Sequence, residues 1–144
     1  MFYSYNNTSI KKQKMNYFFK TVLQGISFEK ALERVKEELA NEGFGIPSDI
    51  DMQDIFKKKI NVDYTKYRIL GACNPKYAHM AVQHEPEIGV LLPCSVIVRE
   101  NTAGDIEIAA VNPVVSMMPV GNDNLKGIAA EIQQKLERAV KSIT

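Results

Sequence analysis

Four stretches of the chain place apolar residues at the spacing of one helix face. The first follows Ser27, a good helix N-cap, and its apolar stripe is Phe28, Ala31, Leu32, Val35 and Leu39. The longest stripe follows Asn122 and Asp123 and consists of Leu125, Ile128, Ala129, Ile132, Leu136, Ala139 and Val140. Two shorter helices are predicted, one capped by Asp51 and one starting at Asn74-Pro75, because proline suits the first helical turn.

Five other stretches are rich in β-branched and aromatic residues, which favours strands. They are residues 16–23, 44–50, 66–72, 88–99 and 105–111. The last two flank Glu100-Asn101-Thr102-Ala103-Gly104, a sequence typical of a hairpin loop. Pro93 removes a backbone donor within the fourth stretch, so this strand is predicted to lie at a sheet edge or to be bulged there.

The predicted elements follow one another as strand-helix-strand-helix-strand-helix-strand-strand-helix. The final hairpin argues against a purely parallel, doubly wound sheet. We therefore predict an α+β two-layer sandwich, with a mixed or antiparallel sheet of about five strands and helices on one face. Residues 1–14 are polar without periodicity, which predicts a flexible N-terminal arm, and residues 15–144 form a single α+β domain. Translation starting at Met1 or at Met15 is equally consistent with this division.

Composition and charge narrow the classes of partner. The chain has 144 residues, of which 45% are hydrophobic and 24% charged, as in ordinary globular domains. A net charge of +1 offers little to the phosphates of nucleic acids or to a membrane surface, so neither partner is expected. No stretch approaches the ~18 apolar residues of a membrane span. Two cysteines do not form a disulfide scaffold, which favours a cytoplasmic location with reduced thiols.

Both cysteines and both histidines lie within residues 70–96. Cys94 shares a strand face with aliphatic residues, so a buried, inert thiol is the favoured interpretation. Cys73 comes directly before a predicted helix N-terminus, where free N–H groups lower the pKa of a thiol, although a half-buried linker cysteine explains it equally well. The predicted ligand-binding candidates, suited to a small anion or a soft metal, are Cys73, Asn74, His79 and Cys94.

Metal binding and catalysis have weaker support in this segment. Zinc accepts thiolate and imidazole ligands, so Cys73, His79 and Cys94 are weak metal candidates, but a fourth ligand and a C-x-x-C spacing are missing. His79 and His84 project about 140° apart on a helix and cannot share one metal ion. A Cys73–Cys94 disulfide stays open, because it requires Cα atoms within about 7 Å. No catalytic constellation is found, enzymatic activity stays undecided, and no cofactor is firmly implied.

The stretch 112–122 is apolar but has no helical or strand period. Its side chains either complete the core of the monomer or form an exposed patch that docks a second subunit or covers a ligand cleft. We favour self-association, because a two-fold symmetric dimer is the commonest oligomer. The interface candidates are Val114, Val115, Met117 and Met118.

Several sequence blocks resemble, in the same order, the domain of unknown function 302 family. They are SFEKALERVKEELANEGFGIPSDIDMQDIFKKKI, YRILGACNP, AHMAVQHEPEIGVLLPCSVIVRE and VNP, within a match that spans residues 16–142. The resemblance implies a two-layer α+β domain of TATA-binding-protein-like topology, in a small bacterial or archaeal protein that can pair as a dimer. The family has no established activity, so it supplies no catalytic roles. The resemblance does indicate where a functional site would lie, because residues 71–75 and 92–94 belong to the recurring blocks of the family.

These observations lead to three hypotheses about function. The first is a non-enzymatic homodimeric binding module for a small ligand or a soft metal near Cys73 and Cys94. The second is a thiol-dependent enzyme or redox protein that uses Cys73. The third is a purely structural protein-interaction domain with residues 112–122 as its interface.

Overall fold

The computed structural model describes residues 16–143, and its strands and helices follow the predicted order. The strands are β1 (Phe18–Leu23), β2 (Gly45–Asp51), β3 (Tyr67–Cys73), β4 (Cys94–Glu100) and β5 (Ile106–Val111). The helices are α1 (Phe28–Asn41), α2 (Met52–Ile60), α3 (Pro75–His84), α4 (Pro113–Ser116) and α5 (Asn124–Lys141), with 3₁₀ helices at Pro86–Leu91 and Met118–Val120. The arm predicted for residues 1–14, and Met15, lie outside the described residues. Within residues 16–143, no helix is long and apolar enough to cross a membrane.

The five strands form one sheet in the order β1-β5-β4-β3-β2. Each neighbouring pair is antiparallel, so the sheet is antiparallel rather than mixed. The predicted α+β class is confirmed, as are the number of strands and the order of the elements. The TATA-binding-protein-like topology is compatible with this arrangement and stays a prediction.

The core lies between one face of the sheet and the helices α1, α3 and α5. The buried strand residues are Leu23, Leu70, Ala72, Cys94, Val96, Val98, Ile106, Ile108 and Ala110. The predicted stripe of α5 is buried along its whole length, and that of α1 is buried except for the partly buried Leu32. Full burial of a Leu or Ile side chain contributes about 1.5–3 kcal/mol, so the packing of the sheet against these helices dominates the stability of the fold.

Side-chain caps begin α1, α2 and α5 as the sequence indicates, whereas the cap expected from Asn74 at α3 does not form. The Ser27 hydroxyl accepts from the backbone N–H of Lys30 at 3.1 Å, and the Asp51 carboxylate caps α2 in the same way. At α5 the capping oxygen comes from Asn122, whose Oδ1 accepts from the backbone N–H of Asn124 at 3.0 Å. The adjacent Asp123 makes no side-chain cap.

The predicted strand 88–99 is wrong in its first half. Residues 86–91 form a 3₁₀ helix that buries Ile88, and β4 starts at Cys94. Prolines at 86 and 93 do not donate to a strand ladder, so the strand forms after the second one. The edge or bulge predicted at Pro93 is also wrong, because the proline precedes a central strand that lies between β3 and β5.

The apolar stretch 112–122 folds onto the monomer itself. Asn112 caps α4 by accepting from the backbone N–H of Val114 at 3.1 Å, and Pro113 and Met117 are buried. Val114 packs against the core and Val115 is half-buried. Met117 therefore completes the core and is not available to a partner in this conformation. Of the four interface candidates, Met118 is the well-exposed one, with 52% of its surface accessible.

Candidate functional site

The two cysteines meet where β3 ends and β4 begins. Ala72 of β3 pairs with Cys94 of β4, which places Cys73 next to it, and both thiols are free. The cavity between them and α3 has a volume of about 10 Å³. That space is about what one water molecule needs. The two cysteines are therefore neighbours, but the cavity between them has no room for a small ligand.

Burial makes Cys94 a poor nucleophile. Removal from water raises the pKa of its thiol to about 11, and the nearby Cys73 raises it further. Cys94 is therefore a neutral thiol at physiological pH and packs as a small apolar residue. Cys73 is half-buried, and no histidine or carboxylate is among the described residues that line the cavity beside it.

Of the other two candidates of this group, Asn74 lines the same cavity and His79 does not. Asn74 occupies the N-cap position of α3 but makes no capping bond; its Nδ2 donates to the carbonyl of Glu42 at 3.3 Å and ties α3 to the end of α1. His79 is exposed and is not among the residues that line the cavity. Within residues 16–143, no three His, Cys, Asp or Glu side chains lie together as a metal site. The weakly predicted soft-metal group of Cys73, His79 and Cys94 is therefore not assembled.

A larger recess lies on the opposite side of the sheet. Alternation along the strands directs every second side chain away from α1, α3 and α5, and we term this surface the open face. It consists of Phe18, Lys20, Val22, Ser48, Ile50, Tyr67, Ile69, Gly71, Ser95, Ile97, Arg99, Glu107, Ala109 and Val111. Two cavities of about 420 Å³ each lie on it and share Ser95 and Val111. Each has the size of a typical small-molecule site.

One of these cavities contains a carboxylate held by two cations. Lys20 Nζ lies 2.8 Å from Glu107 Oε1, and the Arg99 guanidinium donates to the same oxygen at 2.9 Å. Asn101 Nδ2 donates to Glu107 Oε2 at 2.9 Å. Arg99 and Glu107 are direct cross-strand partners, and Lys20 reaches over from β1 on the other side of β5. We term Lys20, Arg99, Asn101 and Glu107 the charged cluster.

The charged cluster keeps Glu107 ionised although the side chain is only 11% exposed. The hydrogen bonds from Lys20 and then Asn101 lower the pKa of Glu107 from 4.5 to about 2, while desolvation opposes them and the charges of Arg99 and Lys20 add to the lowering. Glu107 is therefore an anion at any physiological pH. It does not serve as a general acid or base there, because its pKa lies far below neutrality.

A third recess lies among the helices. It has a volume of about 340 Å³ and lies between the segment 114–122 and α5, and three of the interface candidates, Val114, Met117 and Met118, line it. Lys126 at its rim lies 3.0 Å from Asp123, and both side chains are well exposed. The recess is mainly apolar and has no cluster comparable to the one around Glu107.

Comparison with known proteins agrees with this fold. The family model described as "Domain of unknown function DUF302" matches residues 19–143, which is most of the chain. The chain belongs to the DUF302 family. This membership confirms the resemblance noted from the sequence blocks.

Two further comparisons add detail. A solved structure, described as the crystal structure of an uncharacterized conserved protein DUF302 from Bacillus stearothermophilus, superposes with a TM-score of 0.83. It is 24% identical, and the match covers 90% of this chain and 100% of the other, so it supports the fold alone. An uncharacterized protein of Aquifex aeolicus (strain VF5) is 24% identical over 103 residues, which are 72% of this chain and 64% of that protein's length.

The charged cluster of this DUF302 chain was missed by the sequence interpretation, although a signal was present. Lys20 interrupts the apolar run FFKTVL, Arg99 ends VIVR, and Glu107 stands inside IEIAAV. A single charge on an otherwise apolar strand requires a partner on a neighbouring strand. The sequence does not reveal which strands are neighbours, because β1 pairs with a strand that lies more than 80 residues further along the chain.

Proposed function

We propose that this DUF302 protein is a non-enzymatic homodimeric binding module that holds a small ligand on the open face of its sheet. The observation that supports this most strongly is the cavity of about 420 Å³ around Glu107, with an apolar floor and a charged cluster at one side. Apolar recesses with a few converging polar groups are the usual form of small-molecule sites. The predicted site at Cys73, Asn74, His79 and Cys94 would first have to open, so we place the ligand on the open face.

The chemistry of the floor supports an apolar ligand body. Ile97 lies in the middle of the sheet between Ile69 of β3 and Ala109 of β5, and Val111 continues the apolar surface. The aromatic rings of Tyr17 and Phe18 meet edge to face at 4.8 Å at the rim. Contiguous exposed apolar surface of this kind marks a binding site more often than it marks ordinary surface.

A neutral apolar dye tests the location. We expect phenylnaphthylamine to bind the purified protein with enhanced fluorescence, and Ile97→Lys to abolish binding, because the lysine places a charge on the apolar floor. Val82→Lys is the matched control, since Val82 is an exposed apolar residue, 41% accessible, on α3. Ala109→Leu fills the same cavity without a charge and is expected to weaken binding as well.

The folding of each variant is checked by circular dichroism. Equal dye binding by folded Ile97→Lys, Ala109→Leu and wild-type protein overturns the proposed location. The proposed location is also overturned if the wild-type protein binds no dye.

The two edges of the sheet support the homodimer. Within residues 16–143, β1 pairs with β5 alone, and its six residues contain neither proline nor a register shift. The other edge, β2, contains Pro47 and a register shift between Gly45 and Ser48. Proline and irregular pairing protect an edge from further strand addition, so β1 is the edge suited to pair with its copy across a two-fold axis.

Sedimentation equilibrium tests this assembly. The backbone carbonyl of Tyr17 accepts a hydrogen bond from the backbone N–H of Asn112, so the backbone groups of Tyr17 face β5. Because the direction alternates from one residue to the next along a strand, the N–H of Val22 is directed away from β5. Val22→Pro removes that N–H, and we expect it to convert a wild-type dimer into a monomer, whereas Val22→Thr keeps the N–H and the dimer. A monomeric wild-type protein at micromolar concentration contradicts the proposal, as does a dimer unaffected by Val22→Pro.

A further inference from the structure

We infer that the ligand of the open face is an organic monoanion, an apolar body with one carboxylate or sulfonate group, and that Lys20 and Arg99 bind the anionic group beside Glu107. This inference rests on the proposed function and names the ligand class of the same site. It depends on the hydrogen-bond donors of the two cations, on the charge balance of the cavity and on the position of the charged cluster at the border of the apolar floor.

Both cations have donors left after they bind Glu107. A lysine has three N–H donors and an arginine five. Among the described residues, Lys20 contacts Glu107 at 2.8 Å and Arg99 contacts it at 2.9 Å, both at Oε1. Their side chains stay 42% and 34% exposed, so the remaining donors are accessible from the cavity. An anionic group beside Glu107 would accept charge-assisted hydrogen bonds from both.

The charge balance of the cavity points the same way. Among residues 16–143, the charged residues that line it are Lys20, Arg99 and Glu107, and the other lining residues are uncharged. Two cations and one carboxylate leave one excess positive charge next to apolar side chains, where charges interact more strongly than in water. A ligand with a single negative charge neutralises that excess, whereas a cationic ligand is repelled by both Lys20 and Arg99.

Glu107 acts in this arrangement as a positioning residue. Its carboxylate holds Lys20 from β1 and Arg99 from β4 at one oxygen, which fixes two flexible side chains toward one point. Asn101 occupies the second oxygen from the hairpin loop. The carboxylate is therefore occupied by its own partners, while the two cations it orients keep donors for a ligand.

Two dyes with the same aromatic body separate the anionic group from the apolar contact. Anilinonaphthalenesulfonate is phenylnaphthylamine with one added sulfonate. We expect wild-type protein to bind the sulfonate about tenfold more tightly than the neutral dye, as charge-assisted hydrogen bonds allow. Lys20→Gln lowers the affinity for the sulfonate more than the affinity for the neutral dye, which removes most of this difference, and Lys20→Arg restores the preference.

Lys66→Gln is the control for general attraction of an anion to surface cations, because Lys66 pairs with Glu29 away from the cavity. Equal affinity of wild-type protein for the two dyes overturns the monoanion inference. The monoanion inference is also overturned if Lys20→Gln and Lys66→Gln lose the same amount of affinity for the sulfonate. In both cases the proposed function survives as long as Ile97→Lys abolishes binding of the neutral dye. If Ile97→Lys affects neither dye, the proposed function itself fails.

Discussion

Replacing Glu107 with glutamine lowers the free energy of unfolding at neutral pH by about 2 kcal/mol, because it leaves Lys20 and Arg99 facing each other without their shared anion. The loss is smaller than for a fully buried ion pair, since both cations reach solvent. Urea unfolding at neutral pH measures it. Glu29→Gln is the matched control: Glu29 also pairs with a lysine, at 2.7 Å, but its side chain is 69% exposed, so we expect near wild-type stability.

The effect of Glu107→Gln depends on pH in a direction that the pKa determines. The folded-state pKa of Glu107 is about 2, below its ordinary value of 4.5, so the carboxylate stabilises the fold fully above the ordinary value. That contribution is lost as the pH falls through the folded-state pKa. Wild-type and Glu107→Gln proteins should therefore differ most at neutral pH and converge in strong acid. A constant difference across this range, or none at neutral pH, contradicts the assigned role of the charged cluster.

Replacing Gly71 with alanine destabilises the protein by about 2–3 kcal/mol through overpacking. A Cβ atom at this position would overlap Ser48 Oγ and lie 2.6 Å from Pro93 Cγ. The serine hydroxyl can rotate away, but the Pro93 ring is closed on its own backbone next to β4 and can change only its pucker, so β3 has to move. The same contacts border the second cavity of the open face, which Gly71 and Pro93 both line.

Thermal or urea unfolding checks this prediction against Gly127→Ala. Gly127 lies inside α5, and a Cβ there meets nothing within 4 Å, so we expect alanine to stabilise the protein by about 0.5–1 kcal/mol. Ser48→Ala combined with Gly71→Ala should recover a minor part of the loss, because Pro93 stays in place. The steric account is wrong if Gly71→Ala is as stable as Gly127→Ala.

The elements that were predicted well are those that local sequence specifies. The stripe of α5 lies on one face and is buried there, and the caps at Ser27 and Asp51 begin α1 and α2 as expected. These features depend on residues three or four positions apart, whose relation is set by helix geometry. The strand prediction for the first half of residues 88–99 is wrong because the apolar residues there fit both a strand and a 3₁₀ helix. The prolines and the packing of Ile88 select the 3₁₀ helix.

The candidate site also divides into features that the sequence indicates and features that only the tertiary structure shows. The hypothesis of a ligand near Cys73 and Cys94 presupposes that the two residues meet, and the pairing of β3 with β4 brings them together. The sequence does not reveal the size of the space between them, because that size depends on how α3 and the core residues pack over both thiols. The pKa of Cys94 follows from that packing, since burial is its main cause.

By itself the sequence determined the α+β class, the order of strands and helices, the helix faces that become the core and the membership in the DUF302 family. Only the tertiary structure decided that β1 lies beside β5, and therefore that Lys20, Arg99 and Glu107 meet on the open face. The physical reason is range. Helix periodicity and capping act between near neighbours in the chain, whereas strand order is selected by the packing of the whole sheet against its helices.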